Sequence, residues 1–233
     1  MKIALLGYGK MGKMIEQTAI SRNHEIIAKI DNEFTAGDIK NADVAIDFSI
    51  PSAAFNNITT CFKNGIPVIS GTTGWLDKYD EAIACCKENN GAFIYASNFS
   101  LGVNIFFQLN AYLAQMMSGL KEYQIGMEEI HHTQKLDAPS GTAITLAEGI
   151  IKNTSKTGWK LDHAGEHEIP IVAKRIENVP GTHSIRYSSK VDDIEITHTA
   201  HNREGFALGA VIAAEWIIGK TGIFDMKDVL NLR

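Results

Sequence analysis

A glycine-rich turn near the beginning of the chain strongly limits the folds that the chain can adopt. The apolar run Lys2–Leu6 leads directly into Gly7-Tyr8-Gly9-Lys10-Met11-Gly12, and a segment with apolar residues at helical spacing follows. Between a strand and a helix, the first glycine permits a tight turn, the second admits a pyrophosphate close to the backbone, and the third allows the helix to pack on the strand. The free amides that open the helix then bind phosphate. The turn predicts a dinucleotide site, although the pattern by itself also fits a purely structural turn.

An acidic residue at the end of the second predicted strand strengthens this prediction. Asp31 lies about 20 residues beyond Gly12, where dinucleotide-binding proteins have a carboxylate that binds the adenosine ribose hydroxyls. A carboxylate at this position repels a 2′-phosphate, and the next residue, Asn32, offers no compensating positive charge. The sequence therefore favours NADH as the cofactor. Because Lys10 and Lys13 lie nearby, NADPH stays open as the alternative.

Short apolar segments alternate with helical ones through the first half of the chain. We predict strands at residues 2–6, 25–30, 42–48, 66–70 and 92–96, and helices after the glycine turn, from Pro51 onward and over residues 76–88. This alternation is typical of βαβ units, and it predicts an α/β domain with a Rossmann-type parallel sheet. Only residues 32–41 join the second and third strands, which is short for a helical crossover, so we expect mostly loop there.

Two small polar segments follow predicted strands, at the sheet edge where ligands bind in open α/β sheets. Gly71-Thr72-Thr73-Gly74 follows the fourth strand, and Ala96-Ser97-Asn98-Phe99-Ser100 follows the fifth. Both segments can lie along a nicotinamide ring, and each taken alone can equally be an ordinary loop.

The second half of the chain has a different pattern. We predict a helix at 102–117, a strand that ends at His131, a helix at 141–152, and strands at 169–176, 182–188 and 193–199, with a loop at 152–160. Strands clustered around one helix indicate an α+β domain with a mixed or antiparallel sheet. An apolar helix at 206–219 is expected to return to the first domain. The predicted domains are therefore 1–99 with 206–233 for the dinucleotide, and 100–205 for substrate binding and oligomerisation.

A segment near the middle of the chain carries the most chemistry. A predicted strand ends in His131 and His132, and Lys135 follows within one short loop. An imidazole beside an ammonium group suits proton transfer near neutral pH. A lysine can also give a carboxylate a charge-assisted hydrogen bond, which is roughly twice as strong as a neutral one.

The turn that follows this lysine leads into a helix. Ser140 is a candidate N-cap, and the next two amides, of Gly141 and Thr142, are then unpaired donors. Such a helix start receives a carboxylate well. Together with the lysine and the two histidines, the turn predicts an anion pocket with a built-in proton donor.

A metal site is the competing interpretation of the histidines. Adjacent histidines point to opposite faces of a strand, so His131 and His132 seldom chelate one ion. His163 and His167 are spaced four apart, but Gly165 lies between them in a predicted loop. We therefore expect no metal site. Each histidine taken alone can be an ordinary core or surface residue, and only the convergence with the lysine and the helix start favours the pocket.

The composition of the chain argues against several other classes of protein. The net charge of −5 argues against a general nucleic-acid binder, which usually carries a strong basic excess. The chain shows no apolar stretch of about eighteen residues that could span a membrane, and the opening apolar run is too short for a signal peptide. Cys61, Cys85 and Cys86 lack the spacing of a disulfide framework, and the adjacent pair fits small packing residues better than a redox pair. We expect a cytoplasmic protein.

With these motifs in order, the chain resembles the 4-hydroxy-tetrahydrodipicolinate reductase family, also called dihydrodipicolinate reductase. The resemblance covers essentially the whole chain. Its most specific element is Glu129-Ile130-His131-His132 followed by Lys135-Leu136-Asp137-Ala138-Pro139-Ser140-Gly141-Thr142-Ala143. The glycine turn, the two polar loops and Arg203-Glu204-Gly205-Phe206-Ala207 add to it.

The resemblance implies an oxidoreductase of the diaminopimelate route to lysine, which delivers hydride from NAD(P)H to C4 of a cyclic imine dicarboxylate. It also implies a homotetramer built through the second domain. By the same likeness, His131 and Lys135 are the proton-donating pair, and which of the two gives the proton stays open. The substrate carboxylates would be held by His132, Lys135, Gly141 and Thr142. The cofactor would be held by Gly7, Tyr8, Gly9, Lys10, Met11, Gly12, Asp31, Gly71, Thr72, Thr73, Ala96, Ser97, Asn98 and Phe99.

The chain departs from the family in two places. The crossover after Asp31 is shorter than in many members, and residues 175–183 differ from the common glycine-rich form, although His183 is kept. We interpret His198 as structural, because it shares a strand face with apolar residues, and we leave Arg203 outside the site as either an anion contact or a surface cation. Two other hypotheses stand beside the reductase: another amino-acid dehydrogenase, and a nucleotide-sensing module without catalysis.

Overall fold

The structure is a computed structural model that describes residues 1–31 and 35–232. It divides the chain into two units: Met1–Asn104 with Glu204–Arg233 form the first unit, and Ile105–Arg203 form the second. Asn32, the uncharged residue after Asp31, lies outside the described residues. Among the described residues, no helix is both long enough and apolar enough to cross a membrane.

The first unit is built around one six-stranded sheet. Its strands are β1 (Lys2–Leu6), β2 (Glu25–Ile30), β3 (Val44–Asp47), β4 (Val68–Ser70), β5 (Ala92–Tyr95) and β11 (Gly222–Phe224). Its helices are α1 (Lys10–Ser21), α2 (Ala36–Ile39), α3 (Pro51–Lys63), α4 (Tyr79–Glu88), α7 (Glu204–Ile217) and α8 (Met226–Leu230), and the helix α5 (Leu101–Met117) begins in this unit. The order of the strands is β11-β5-β4-β3-β1-β2, and all pairs are parallel. The predicted Rossmann-type parallel sheet is confirmed.

The strand order creates a switch point beside β1. After β2 the chain crosses back over β1 to form β3, so the chain winds to one side of β1 before this point and to the other side after it. In open α/β sheets, ligands bind outside the carboxyl ends of the strands at such a switch point. The glycine turn at the end of β1 and the loop after β3 both lie there.

Apolar cores cover both faces of this sheet. Helices α1 and α7 pack together on one face, and α3 and α4 pack together on the other. The predicted return of the last apolar helix to the first domain is confirmed, since α7 contacts β3, β4 and β5. Gly209 on α7 lies so close to the backbone of Phe99 that a Cβ would fall 1.7 Å from the carbonyl oxygen of Phe99.

Both Cys61 and Cys86 lie in the α3–α4 core, and burial raises the pKa of each thiol, that of Cys86 to about 11. Cys85 packs against the same core. The interpretation of the adjacent cysteines as small packing residues is confirmed.

The second unit contains a five-stranded mixed sheet, as predicted. Its strands are β6 (Gln124–His131), β7 (Gly158–Leu161), β8 (Glu168–Arg175), β9 (Gly181–Ser188) and β10 (Asp193–Ala200), and its complete helix is α6 (Gly141–Asn153). In the order β10-β9-β6-β8-β7, the pairs β6–β8 and β7–β8 are parallel, and the pairs that involve β9 are antiparallel. Apolar residues of α5 and α6 cover one face of the sheet.

Four elements differ from the sequence prediction. Residues 152–160 were expected to form a loop, but Gly158–Leu161 is the edge strand β7, in which Trp159 packs against the core. The expected loop between β2 and β3 contains the one-turn helix α2, which Thr35 and Asp38 stabilise as a capping box. Strand β11 and helix α8 were not predicted, because each is too short to show a periodic pattern.

Candidate active site

The glycine turn has the geometry that its sequence predicts. Gly7 has a φ of +94°, and a Cβ there would lie 2.1 Å from the carbonyl oxygen of Phe48. A Cβ on Gly12 would lie 2.3 Å from the carbonyl oxygen of Gly7. Both positions therefore need glycine for the fold itself, the first for the turn and the second for the close approach of α1.

Gly9 differs from these two glycines. It caps the start of α1, no side chain caps this helix, and a Cβ at Gly9 would meet no described atom within 4 Å. The fold alone does not require glycine here, whereas a phosphate that approaches the backbone does. The open space beside uncapped amides fits a dinucleotide pyrophosphate.

The Asp31 carboxylate lies at the same turn. The backbone N–H of Tyr8 donates a hydrogen bond to Oδ1 of Asp31 across 3.1 Å, and this group is exposed. The Tyr8 hydroxyl bonds to Glu16, and the ammonium groups of Lys13 and Lys29 lie 5.9 and 5.1 Å from the centre of the Tyr8 ring. Both a carboxylate and two cations therefore border the turn.

A buried carboxylate without a predicted role organises the next two loops. Asp47, at the end of β3, is fully buried and accepts four hydrogen bonds. Its donors are the Ser49 hydroxyl at 2.7 Å, the Asn57 amide at 3.0 Å, the Ser70 hydroxyl at 2.7 Å and the Thr72 hydroxyl at 2.8 Å. Burial raises the pKa of Asp47, and the four donors act in the opposite direction. A charged residue that ends an apolar strand was the signal for this position.

The two polar loops that were predicted to lie along the nicotinamide contain both exposed and buried side chains. The Thr72 hydroxyl is buried and committed to Asp47, and the Phe48 ring packs against the backbone of Gly71, whereas Thr73 is exposed. In the second loop, Ser97 is exposed, but the Phe99 side chain is 1% exposed and lies in the core. Thr72 and Phe99 can therefore contact a cofactor only through the backbone.

In the second unit, the histidine that ends β6 faces inward. The Nε2 atom of His131 lies 3.3 Å from Nε2 of His183 on β9, and the Nδ1 atom of His131 lies 3.2 Å from the carbonyl oxygen of Pro180. Because a carbonyl oxygen only accepts, Nδ1 carries the proton of the neutral ring. Burial lowers the pKa of His131, and it lowers the pKa of His183 to about 4.

Glu129 lies beneath these rings and is fully buried. The backbone N–H of Ser140 donates to its Oε2 atom at 2.9 Å, and Nη2 of Arg175 donates to its Oε1 atom at 3.1 Å. Burial alone would raise the pKa of Glu129, but the bonds from Ser140 and Arg175 outweigh burial and hold the pKa below its ordinary value. Glu129 was part of the predicted strand pattern, but no role was assigned to it.

Glu129, His131 and His183 offer three potential metal ligands within 4.8 Å of one another. Both oxygens of the carboxylate already accept hydrogen bonds, and the two rings face each other at hydrogen-bonding distance. We interpret the group as a buried hydrogen-bond network. The expectation that the chain has no metal site stays a prediction.

The Lys135 ammonium group is held by its own loop. Its Nζ atom lies 2.8 Å from both carboxylate oxygens of Asp137, and this contact lowers the pKa of Asp137. The Arg175 guanidinium donates to the carbonyl oxygen of Lys135 at 3.3 Å and to that of Asp137 at 2.6 Å. The lysine is therefore fixed by side-chain and backbone contacts at once.

The start of α6 has the predicted cap. Ser140 is the N-cap, and its hydroxyl accepts a hydrogen bond from the Ala143 N–H at 3.2 Å and lies 3.1 Å from Nε2 of His183. Among the described residues, no acceptor is found for the N–H groups of Gly141 and Thr142. A Cβ on Gly141 would meet no described atom within 4 Å, so this helix start is open to a ligand.

His132, the second histidine of the adjacent pair, lies beside a cavity and not in the buried network of His131. His132 borders an open cavity of about 370 Å³, whose lining includes Gln134, Asn178, Pro180 and Arg203. The Nδ1 atom of His132 is buried, and the described residues offer it no hydrogen-bond partner. The two adjacent histidines therefore have different surroundings, as the strand geometry predicts. His198 packs its ring 5.9 Å from the ring of Phe106, in agreement with a structural role.

Comparisons with known proteins show the family of the chain. Residues 1–99 match the family profile of the dihydrodipicolinate reductase N-terminus, and residues 102–230 match that of its C-terminus. The 4-hydroxy-tetrahydrodipicolinate reductase of Christiangramia forsetii is 63% identical over 99% of this chain and 98% of its own length. The protein of the same name from Archaeoglobus fulgidus is 35% identical over 99% of this chain and 100% of its own length.

A solved structure shares the fold. The dipicolinate-bound dihydrodipicolinate reductase from Paenisporosarcina sp. TG-14 superposes with a TM-score of 0.82 at 21% identity, over 96% of this chain and 97% of that one. Both halves of the sequence and the full-length relatives lead to the same assignment. The chain belongs to the dihydrodipicolinate reductase family of pyridine-nucleotide-dependent oxidoreductases.

Proposed function

We propose that this protein reduces 4-hydroxy-tetrahydrodipicolinate to tetrahydrodipicolinate with hydride from NAD(P)H, in the diaminopimelate route of lysine biosynthesis. The observation that carries the proposal is the start of α6, where the N–H groups of Gly141 and Thr142 find no acceptor among the described residues. Lys135 supplies an ammonium group in the loop that leads into this helix. His132 borders a separate cavity, and we propose it as a further contact of the substrate. The N–H groups and the ammonium group suit a carboxylate, and the proposed substrate carries two carboxylates.

The carboxylates of the substrate would replace contacts that the protein now makes with itself. Asp137 holds Lys135 through two short bonds, and a substrate carboxylate is the same chemical group. The N–H groups of Gly141 and Thr142 add two donors at the positive end of α6. Binding at this helix start orients the ring for attack at C4.

The cofactor would be held by the glycine turn, by Asp31 and by the backbone of the two polar loops. When bound, it supplies the hydride for C4. Loss of the 4-hydroxyl group as water leaves a conjugated imine, and hydride addition to it moves an electron pair toward the ring nitrogen. The resulting enamine anion gains one proton from the protein, and once this proton is on C5 the C6–N double bond of the product is restored.

We propose that Lys135 gives this proton. Both ring nitrogens of His131 face protein groups, and its lowered pKa keeps the ring mostly neutral near pH 7. The Lys135 side chain is 21% exposed, so its ammonium group is accessible from outside the protein. His131 then acts on the electrostatics of Lys135 without touching the substrate.

We propose NADH as the preferred cofactor and NADPH as a weaker one. One carboxylate oxygen of Asp31 accepts from the Tyr8 N–H, which leaves the other oxygen for a ribose hydroxyl. A 2′-phosphate at this point would meet the Asp31 charge. Lys13 and Lys29 border the Tyr8 ring and are the cations that could reduce the repulsion.

We further propose a homotetramer in the cytoplasm. Ile105, Leu109, Tyr112 and Met116 form an apolar stripe on α5, and each is between 43% and 62% exposed. Such a stripe is usually buried between subunits. The number four comes from the family resemblance. The described cysteines are free thiols, as in proteins of a reducing compartment.

The test is an absorbance assay of NADH oxidation. A synthase makes the unstable substrate in place from pyruvate and aspartate semialdehyde, and the reductase is added last. The proposal expects oxidation that needs the synthase and both of its substrates. Oxidation with simple amino-acid precursors alone would favour another dehydrogenase. No oxidation by folded, cofactor-binding protein would favour the sensing module.

A further inference from the structure

We propose that Glu129 is the positioning residue of the active site. Its buried carboxylate fixes the loop that carries Lys135 relative to the start of α6, where the N–H groups of Gly141 and Thr142 would bind a substrate carboxylate. This inference rests on the proposed function and deepens it. Glu129 is remote from solvent, with 0% exposure, so it acts through its neighbours and not through contact with substrate.

The two oxygens of the carboxylate serve two different segments. The Oε2 atom accepts from the N–H of Ser140, the N-cap of α6, and thereby anchors the start of the helix whose free amides receive a carboxylate. The Oε1 atom accepts from the Arg175 guanidinium. One buried group therefore joins β6 to α6 and to the end of β8.

Arg175 extends this connection to the loop that carries Lys135. It donates to the carbonyl oxygens of Lys135 and Asp137, which are two residues apart in the loop that carries the ammonium group. Without the Glu129 carboxylate, the guanidinium would lose its charged partner at 3.1 Å and would be held through its bonds to backbone carbonyl oxygens, those of Lys135, Asp137 and Lys174. The position of Lys135 thus depends on a residue that it does not touch.

The Glu129 carboxylate also influences how easily His131 is protonated. His131 is surrounded by Glu129 on its own strand, His183 on β9, Arg175 on β8 and Lys135 in the loop. Of these groups, Glu129 is the anion, with Oε2 at 3.8 Å from Nε2 of both His131 and His183. Removal of this charge makes protonation of His131 less favourable, because the cationic Lys135 and Arg175 remain near the ring.

A glutamine cannot replace this glutamate, although the two have nearly the same shape. Both carboxylate oxygens face donors, the Ser140 N–H and the Arg175 guanidinium. The NH₂ group of glutamine would therefore meet a donor in either orientation, and one of the two bonds would be lost. Glu129→Asp keeps the charge but is one methylene shorter, so it cannot reach both donors.

The control is the neighbouring residue on the same strand. Glu128 has the same chemistry, but its carboxylate pairs with Lys174 at 2.5 Å, and both side chains are partly exposed. Glu128→Gln therefore removes a carboxylate from β6 without touching the network. All variants would first be checked for folding by thermal unfolding.

Three measurements separate the parts of the proposal. Hydrogen exchange reports the order of residues 132–142 with no ligand present. The proton NMR titration of His131 reports the electrostatic effect, and calorimetry with dipicolinate reports the carboxylate site. For Glu129→Gln we expect faster exchange, a His131 midpoint at lower pH and at least tenfold weaker dipicolinate binding. For Glu129→Asp we expect the exchange and binding effects with a nearly normal His131 titration.

The outcomes are distinguishable from those of the proposed function. If the wild-type protein neither reduces the proposed substrate nor binds dipicolinate, the proposed function fails, while exchange and the His131 titration still decide the role of Glu129. If Glu129→Gln matches Glu128→Gln in all three measurements, the positioning role is wrong. If Glu129→Gln does not fold, the exchange and binding of Glu129→Asp decide, and normal values for both overturn the proposal.

Discussion

The Nε2 atoms of His131 and His183 lie 3.3 Å apart in the interior of the second unit, where the residues are 9% and 5% exposed. Two rings at this distance share one hydrogen bond and cannot both carry charge without strong repulsion. Burial, and then the neighbouring His131, lower the pKa of His183 to about 4. The pair is thus neutral in the folded protein near pH 7.

The first prediction concerns stability in acid. The unfolded chain protonates His183 near its ordinary pKa of about 6.5, whereas the folded chain does so only near pH 4. The free energy of unfolding should therefore fall as the pH drops from about 6.5 to about 4, by up to about 3 kcal/mol from this residue. Urea denaturation at a series of pH values measures the loss.

A His183→Gln variant serves as the comparison for this prediction. It should be less stable than the wild type near pH 7, because the ring contacts Ser140 and His131. Its stability should nevertheless change less with acid, since glutamine does not titrate. An equally steep loss in the variant would assign the acid sensitivity to other groups.

The second prediction concerns the proposed proton donor. Lys135→Met should lower kcat by roughly 10² or more, the usual contribution of general acid catalysis. NADH affinity should stay near the wild-type value, because the glycine turn belongs to the other unit. Steady-state kinetics and fluorescence titration with NADH measure the two quantities.

A matched lysine provides the control. Lys160 also lies in the second unit and also pairs with a carboxylate, that of Glu168 at 3.0 Å, but its side chain is 62% exposed on the edge strand. Lys160→Met should leave kcat nearly unchanged. Similar kinetics for the two variants would show that Lys135 has no special role.

Much of the architecture follows from local pattern, and the exceptions have clear physical reasons. The strands of the first unit are short and apolar because both faces of a parallel sheet are covered, and this pattern is readable from sequence. Strand β7 is different, because it is an edge strand of four residues, and only the packing of Trp159 distinguishes it from a loop. Elements this short carry no periodic signal.

Only part of the candidate site could be predicted from the sequence, because some of its residues lie far apart in the chain. Lys135, His131 and Ser140 stand out because they lie together in the chain. Arg175 and His183 join them through strand pairing, in which His131 lies opposite Arg175 and Glu129 lies opposite His183. Without the order and register of the strands, a sequence does not reveal which distant residue faces which.

The third prediction separates a ligand contact from a folding requirement within one motif. Gly9→Ala places its methyl group in open space, so we expect near-normal thermal stability and a loss of at least tenfold in NADH affinity. Gly7→Ala would place Cβ 2.1 Å from the carbonyl oxygen of Phe48 and should lower the Tm strongly. If Gly9→Ala bound NADH normally, the pyrophosphate would not lie at this turn.

The fourth prediction concerns cofactor choice. Asp31→Ser removes the carboxylate that repels a 2′-phosphate but keeps a small polar group beside the Tyr8 N–H. The ratio of kcat/KM for NADPH to that for NADH should rise by about tenfold. A lower ratio, or a wild-type protein that already prefers NADPH, would contradict the role given to Asp31 and would point to Lys13 or Lys29.

The most direct measurement is the coupled oxidation of NADH with substrate made in place by the synthase. The family assignment and the site predict a decrease in the absorbance of reduced nicotinamide that requires synthase, pyruvate and aspartate semialdehyde together. The same decrease should be nearly absent with Lys135→Met and present with Lys160→Met. No decrease with either NADH or NADPH, from folded wild-type protein that binds the cofactor, would contradict the proposed reaction.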